Sequence, residues 1–412
     1  MVETGVSREE KFPTPTLTGA ALKPQEELGN SRKKHGPAIQ ALRAASFGVY
    51  FLICCVAIHV SQFLGCPLYF INREWYYMYM SKTKEFFGIT IITMTRWWGP
   101  TTIRVSGDEE VSKELSKSRD GGIECSFPDR LIMIANHQIY TDWLYLWWVG
   151  YTNVPQFHGH LYIILKESLK YIPVIGPGMA FFGFIFMSRK MATDQPRLSH
   201  RLQKLKQVHL TPKGQKYRNP MWLLIFPEGT NMSRNAKANS ASWAKKKDIP
   251  DMEHVVLPRS TGLLFCLREL KGTLDYVYDC TVAYEGVPRG GYGEEMFTLT
   301  STYFQGRPPK SVNFHWRKFK VCDIPLDDTE QFDHWLRERW AEKDKLMEIY
   351  IRTGRFPAEG QVHIETEVKT NHSLEILQIF APLAFGIIMG RWLAQVWAII
   401  KWVLRLPPFR WF

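Results

Sequence analysis

Hydrophobic and polar residues are arranged in three different ways along the chain. Between Phe47 and Leu64 the run FGVYFLICCVAIHVSQFL carries no charge apart from a protonated His59, and its eighteen residues are about the minimum for crossing a bilayer. It begins too far from the N-terminus for a cleaved signal peptide. A stretch rich in Trp75, Tyr76, Tyr77, Tyr79, Phe86, Phe87, Trp97 and Trp98 follows, mixed with Lys82, Lys84 and Arg96. It is too polar to span and suits the headgroup layer. Residues 374–404 are apolar again but interrupted by Pro382, Arg391 and Lys401. That pattern fits one kinked span, a shallow hairpin or a helix lying in the membrane plane.

Between these ends, short strand-like runs occupy 131–136, 161–166, 184–189, 221–227 and 278–284, and 312–321 (VNFHWRKFKV) alternates as a strand with one wet face would. Helical stretches fall at 141–149, 168–182, 197–209, 233–247, 261–271 and 329–352. The last opens after the cap candidates Asp327 and Asp328 and stops at Gly354. Strands separated by helices predict an α/β fold: a mixed sheet with helices on both faces, flanked by N-terminal and C-terminal membrane-associated helices. The expected organisation is a flexible polar tail over 1–43, a membrane anchor with interfacial helices over 44–100 and a layered domain over 101–325. A charged helix and linker over 326–370 and a C-terminal membrane-associated segment over 371–412 complete it.

Composition narrows the function classes. With 45% apolar and 22% charged residues among 412, and a mean hydropathy of −0.21, most of the chain folds in water. This excludes a channel or carrier built mainly of spanning helices. Seven cysteines without a C-x-x-C pair exclude a dense disulfide framework. The net charge of +12 favours an anionic partner, and fifteen tryptophans direct it to a membrane surface. Nucleic acid ranks last, because the aromatics accompany apolar runs instead of a basic groove pattern. His158 and His160 have no third ligand in reach, so no metal site is expected.

The candidate chemistry lies at strand ends. N-H-Q-I-Y-T-D at 136–142 falls where a strand ends and a helix begins. Five residues of ideal helix would rotate His137 and Asp142 apart by about 500°, so the pair meets only if His137 sits in the turn. A carboxylate-oriented imidazole is a general base, and the adjoining helix start offers N–H groups for an oxyanion or a phosphate. Arg189 closes the run FIFMSR at the carboxyl end, where open α/β sheets bind ligands, and a guanidinium there suits a phosphate. F-P-E-G-T at 226–230 supplies a rigid Pro, the Glu228 carboxylate and Gly229, which lets backbone approach a ligand. V-V-L-P-R-S-T-G at 255–262 is a further apolar run broken by Pro258. Taken singly, each block also reads as an ordinary strand-to-helix turn.

Together and in this order, Asn136-His137 with Asp142, GFIFMSR, FPEGTNMS and VVLPRSTG resemble the lysophosphatidic-acid acyltransferase (PlsC-like) family of glycerolipid acyltransferases over about residues 90–325. The surrounding ILKESLKYIPVIGPGMAFFGFIFMSRK and DCTVAYEGVPRG are similar to the lysocardiolipin and lysophosphatidylinositol branch. The resemblance implies transfer of a fatty acyl group from acyl-CoA, as co-substrate and with no other cofactor, to the free hydroxyl of a lysophospholipid. It implies His137 as base and Asp142 as its partner. Asn136, Arg189, Glu228, Gly229 and Thr230 would stand on the acceptor side, and Pro258 would shape the acyl or CoA side. The second block reads F-M-S-R where the family has a tighter F-x-R. The implied location is the endoplasmic reticulum membrane with the site facing the cytosol, without an obligate protein partner. The sequons at Asn231 and Asn371 should then carry no glycan. The rival readings are a CoA-independent transacylase and a non-enzymatic membrane scaffold.

Overall fold

The computed structural model describes residues 32–188, 190–211, 213–358 and 363–405. Eight strands form one sheet: β1 (Thr102–Gly107), β2 (Arg130–Ala135), β3 (Leu161–Lys166), β4 (Ile185–Met187), β5 (Met221–Ile225), β6 (Tyr276–Tyr284), β7 (Ser311–Lys320) and β8 (Ile364–Glu367). Their order is β8-β1-β7-β6-β2-β5-β3-β4, with β6–β7 and β1–β8 antiparallel and every other pair parallel. The mixed sheet expected from the sequence is present. In β2, Leu131 and Met133 point into one apolar core while Ile132 and Ile134 point into a second, and β5 divides its residues in the same way. Burial on both faces explains why these strands read as unbroken apolar runs.

Helices cover the two faces. α1 (Pro37–Gly65) and α2 (Arg73–Trp98) form a hairpin that packs with α3 (Asp142–Thr152) and the short α4 (Ile175–Phe181) on one side. α5 (Met191–Leu205), α6 (Arg234–Lys247), α7 (Ser260–Leu270) and α8 (Thr329–Thr353) contribute to the other core. α2 corrects the interfacial reading for the middle of the aromatic stretch: Phe86 to Thr95 are buried against the domain, while the first turns, and Arg96 and Trp97 near the end, remain outside. β7 corrects a second expectation, because its polar face is not wet. Asn313 donates to the Tyr350 hydroxyl of α8 at 2.9 Å, and Arg317 meets Asp279 and Glu342, each at 2.6 Å.

Two helical stretches, Pro37–Ile71 and Ser373–Trp402, are long and apolar enough to cross a membrane. α1 is fastened along its length: Arg43 donates to the carbonyls of Trp98 and Tyr303, Tyr50 to Thr90 and Gln62 to Gly178. Its other side exposes Leu42, Val49, Leu52, Val56 and Phe63 at helical spacing. At the other end, α9 (Ala381–Arg405) is unbroken, because Pro382 falls in the first turn, where a missing N–H removes no hydrogen bond.

Candidate active site

Parallel pairing sets the strand ends side by side. Ile134 of β2 lies beside Ile225 of β5, and Ala135 lies beside Cys280 of β6, so the turns that follow share the carboxyl edge of the sheet. His137 stands in the first of these turns, and Asp142 is the first residue of α3. Nδ1 of His137 is 2.7 Å from Oδ2 of Asp142, which is fully buried. The same oxygen accepts the N–H groups of Gln138 at 2.7 Å and Ile139 at 3.1 Å, and Oδ1 accepts the hydroxyl of Tyr284. Four donors thus converge on a carboxylate at a helix N-terminus, where negative charge is favoured. An acceptor facing Nδ1 fixes the proton there and leaves the Nε2 lone pair free. The amides of Gln138 and Ile139, in the turn before α3, point inward to this carboxylate and are not free for an oxyanion or a phosphate.

The main chain of His137 is held as firmly as its ring. Its N–H donates to Oε2 of Glu228 at 3.1 Å, and its carbonyl accepts the N–H of Met232 at 2.6 Å. The ring stacks on Phe226 with centroids 4.3 Å apart. Its side chain retains 19% exposure, enough for a substrate to reach it. Oε1 of Glu228 accepts the indole N–H of Trp340 at 3.1 Å. Burial pushes the Glu228 carboxyl up to about 8, against the pull of Trp340, the His137 amide and the charge of Lys343. Lys343 itself is buried on α8 and reaches Asp279 at 2.6 Å.

The other blocks meet at the same edge. The amide of Asn136 donates to the carbonyl of Val282 at 3.0 Å and accepts its N–H at 2.8 Å, which fastens the His137 turn to β6. Gly229 has φ +71°, a left-handed conformation that favours glycine. The N–H of Arg259 donates to the carbonyl of Pro227 at 2.8 Å, joining the fourth block to the third. A cavity of about 460 Å³ opens there, lined in part by Glu228, Thr230, Pro258, Arg259, Ser260 and Asp333. Both oxygens of Glu228 are engaged from within the protein, whereas Arg259 is exposed and has no carboxylate partner among the described residues. Arg189 lies outside the described residues.

The sequence matches the acyltransferase family over residues 102–285 and the acyltransferase C-terminus family over 302–376. A 2-acyl-1-lysophosphatidylinositol acyltransferase of Saccharomyces cerevisiae is 35% identical, covering 79% of this chain and 86% of the relative. An uncharacterized acyltransferase of Schizosaccharomyces pombe is 37% identical over 86% of this chain and 97% of its own length. The chain belongs to the PlsC-like acyltransferase family. Lysocardiolipin acyltransferase 1 of Gallus gallus, 29% identical over 76% of each chain, is a further relative of this acyltransferase.

Two contributors to the candidate site stand without a role in the sequence reading, Tyr284 and Trp340, and Phe226 enters it only as the first letter of F-P-E-G-T. The available signal was indirect, since a buried tyrosine or tryptophan needs a partner for its O–H or N–H. Other reactive groups are held inert. Burial pushes the thiols of Cys125 and Cys266 up to about 12 and pulls the imidazoles of His158 and His160 down to about 3 and about 4. Glu253, His254 and Glu348 place ligand atoms within 4.8 Å of one another. Arg289 bridges both carboxylates, at 3.1 and 2.8 Å, and supplies the positive charge of that cluster.

Proposed function

We propose that this acyltransferase moves a fatty acyl group from acyl-CoA to the free hydroxyl of a lysophospholipid, with His137 as general base. The observation that carries the reading is the immobilised His137–Asp142 pair at the carboxyl edge of the sheet. Nε2 takes the hydroxyl proton as the oxygen attacks the thioester carbonyl, and the new C–O bond forms. Collapse then breaks the C–S bond, and the imidazolium returns its proton to the departing thiolate. Asp142 keeps the tautomer and offsets the transient imidazolium charge, as an orienting carboxylate does in other base pairs. Transfer is direct, in keeping with thiols too buried to ionise near neutrality.

The acceptor carries a phosphate, a reading supported by the relatives named for lysophosphatidylinositol and lysocardiolipin. Arg259, Thr230 and Ser260 give the 460 Å³ cavity a guanidinium and hydroxyls for such a headgroup, with Pro258 shaping the acyl or CoA side; Arg189 is a further candidate cation from the family resemblance alone. Neither a metal nor another cofactor is invoked, and no obligate protein partner. Acyl-CoA is a cytosolic polyanion, so the site faces the cytosol from the endoplasmic reticulum membrane. In support, the amide of Asn231 is engaged by Glu294, and the next residue holds the carbonyl of His137, a poor place for a glycan.

Purified protein in defined vesicles, given a panel of lysophospholipids with and without acyl-CoA, tests the reading by lipid mass spectrometry. Diacyl product should form only with acyl-CoA. Product made at the expense of a second phospholipid, without acyl-CoA, would establish transacylation instead.

A further inference from the structure

A second cavity, about 480 Å³, opens at the opposite end of the sheet from His137. Its lining includes Tyr162, the second residue of β3, and Pro220, just before β5. A strand of five or six residues, at about 3.3 Å per residue, separates the two ends by roughly 17–20 Å. The cavity shares no lining residue with the catalytic constellation, and its volume lies in the small-ligand range of about 300–1,000 Å³.

Its charge is one-sided. Lys84, Arg201 and Lys204 line it, and no lining residue is a carboxylate. Lys84 is 2% exposed, yet among the described residues its ammonium meets no carboxylate: it donates to the carbonyl of Leu161 at 3.0 Å and faces the rings of Tyr162 at 3.7 Å and Phe184 at 5.8 Å. Burial pulls its pKa well below the usual lysine value. The Lys204 ammonium is likewise lowered, by burial and by the charges of Arg201 and Arg73. Neither Arg201 nor Lys204 has an acidic partner among the described residues, and the neighbouring carboxylate of Glu74 is taken by His209 at 2.9 Å. Cations held together against their own repulsion around a void, one of them fully buried, are complementary to an anion.

The surroundings indicate where the anion comes from. Beside the cavity, the short segment that follows α1 exposes Phe70 and Ile71, and the first turns of α2 expose Trp75 and Met78. The hairpin of Val208–Leu210 with Lys216–Arg218, whose His209 also lines the cavity, exposes Val208, Leu210 and Tyr217. Apolar side chains flanking a basic, tyrosine-lined pocket match the lipid–water boundary. We propose that this cavity is a second lipid site, in which Lys84, Arg201 and Lys204 bind the phosphate of an anionic phospholipid headgroup from the membrane. The inference rests on membrane association alone and not on the acyl-transfer chemistry.

Photolabelling tests it on the full chain. Protein is reconstituted in phosphatidylcholine vesicles carrying a small fraction of phosphatidate with a photoreactive group beside the phosphate, and labelled peptides are mapped by mass spectrometry. Labelling is expected on the segments 69–84 and 201–209. It should fall about tenfold in Arg201→Ala with Lys204→Ala, as loss of charge-assisted phosphate contacts requires. It should persist in Lys216→Ala with Arg218→Ala, a matched loss of charge outside the cavity lining, and in His137→Ala. Equal labelling of the Arg201/Lys204 variant, or an equal fall in the Lys216/Arg218 variant, would overturn the site. Competition by adenosine 3′,5′-bisphosphate as effective as that by unlabelled phosphatidate would overturn the lipid source in favour of a soluble phosphate.

Discussion

His137 is fixed by four unrelated contacts, a carboxylate, a buried glutamate, a backbone amide and a phenyl face, and each has a separable consequence. Asp142→Asn preserves shape but turns an acceptor into a partial donor against the amides of Gln138 and Ile139. The expected result is a fall in kcat of about 10²-fold or more, with the acyl-CoA KM little changed. A variant within a few-fold of wild type would remove Asp142 from the chemistry. Arg259→Ala should act differently, because a guanidinium on a phosphate binds ground state and transition state alike. Its lysophospholipid KM should rise roughly tenfold at nearly constant kcat, whereas a raised acyl-CoA KM would move Arg259 to the donor side. His137 and Asp142 were legible because only five positions separate them and a turn closes the gap. Tyr284 and Trp340 were not, because they reach the site across 142 and 112 residues, a separation no local pattern reports.

At the scale of elements, strands buried on both faces were easy to read, while polar elements were misassigned to water. The alternation in β7 reads as a strand and is one, but its polar side lies against α8. The buried Asp279–Arg317–Lys343 ion pairs satisfy residues that a sequence places outside. β1 and β8 escaped notice because charged and hydroxyl side chains interrupt such short strands. α8 does more than cover the sheet, since its Trp340 holds the glutamate that holds the His137 amide. Trp340→Phe keeps the bulk and removes the N–H. The expected outcome is a kcat lowered about tenfold with both KM values within twofold, the signature of a positioning residue. A change confined to KM would detach α8 from the catalytic turn.

For the whole molecule, buried titratable groups set a pH dependence of stability. Burial holds His158 and His315 down to about 3 and His160 to about 4, below their unfolded value near 6.5. The unfolded chain therefore binds more protons over that window, so each histidine's stabilisation is full above pH 6.5 and is lost as pH falls through it. The slope is roughly 1.4 kcal/mol per pH unit for each fully buried group. Glu228, raised to about 8, has the opposite sign and reduces stability as pH rises from about 4.5 to 8. Three histidines against one glutamate predict a denaturation midpoint that drops as pH falls from 6.5 to 4.5, and a shallower drop in His315→Asn. A midpoint flat across that window in wild type would show that the histidines titrate freely in the folded state.

On the proposed mechanism His137 performs the chemistry and is not kept only for the fold. The most direct test compares wild type and His137→Ala, each purified and reconstituted in the same vesicles, for acyl-CoA-dependent conversion of a lysophospholipid to its diacyl product. Thermal unfolding is recorded on the same samples. At least about a 10²-fold loss of rate is expected, with an unfolding temperature close to wild type, because a partly exposed turn imidazole contributes little packing. A His137→Ala protein that stays folded and keeps more than about a tenth of the wild-type rate would contradict that mechanism.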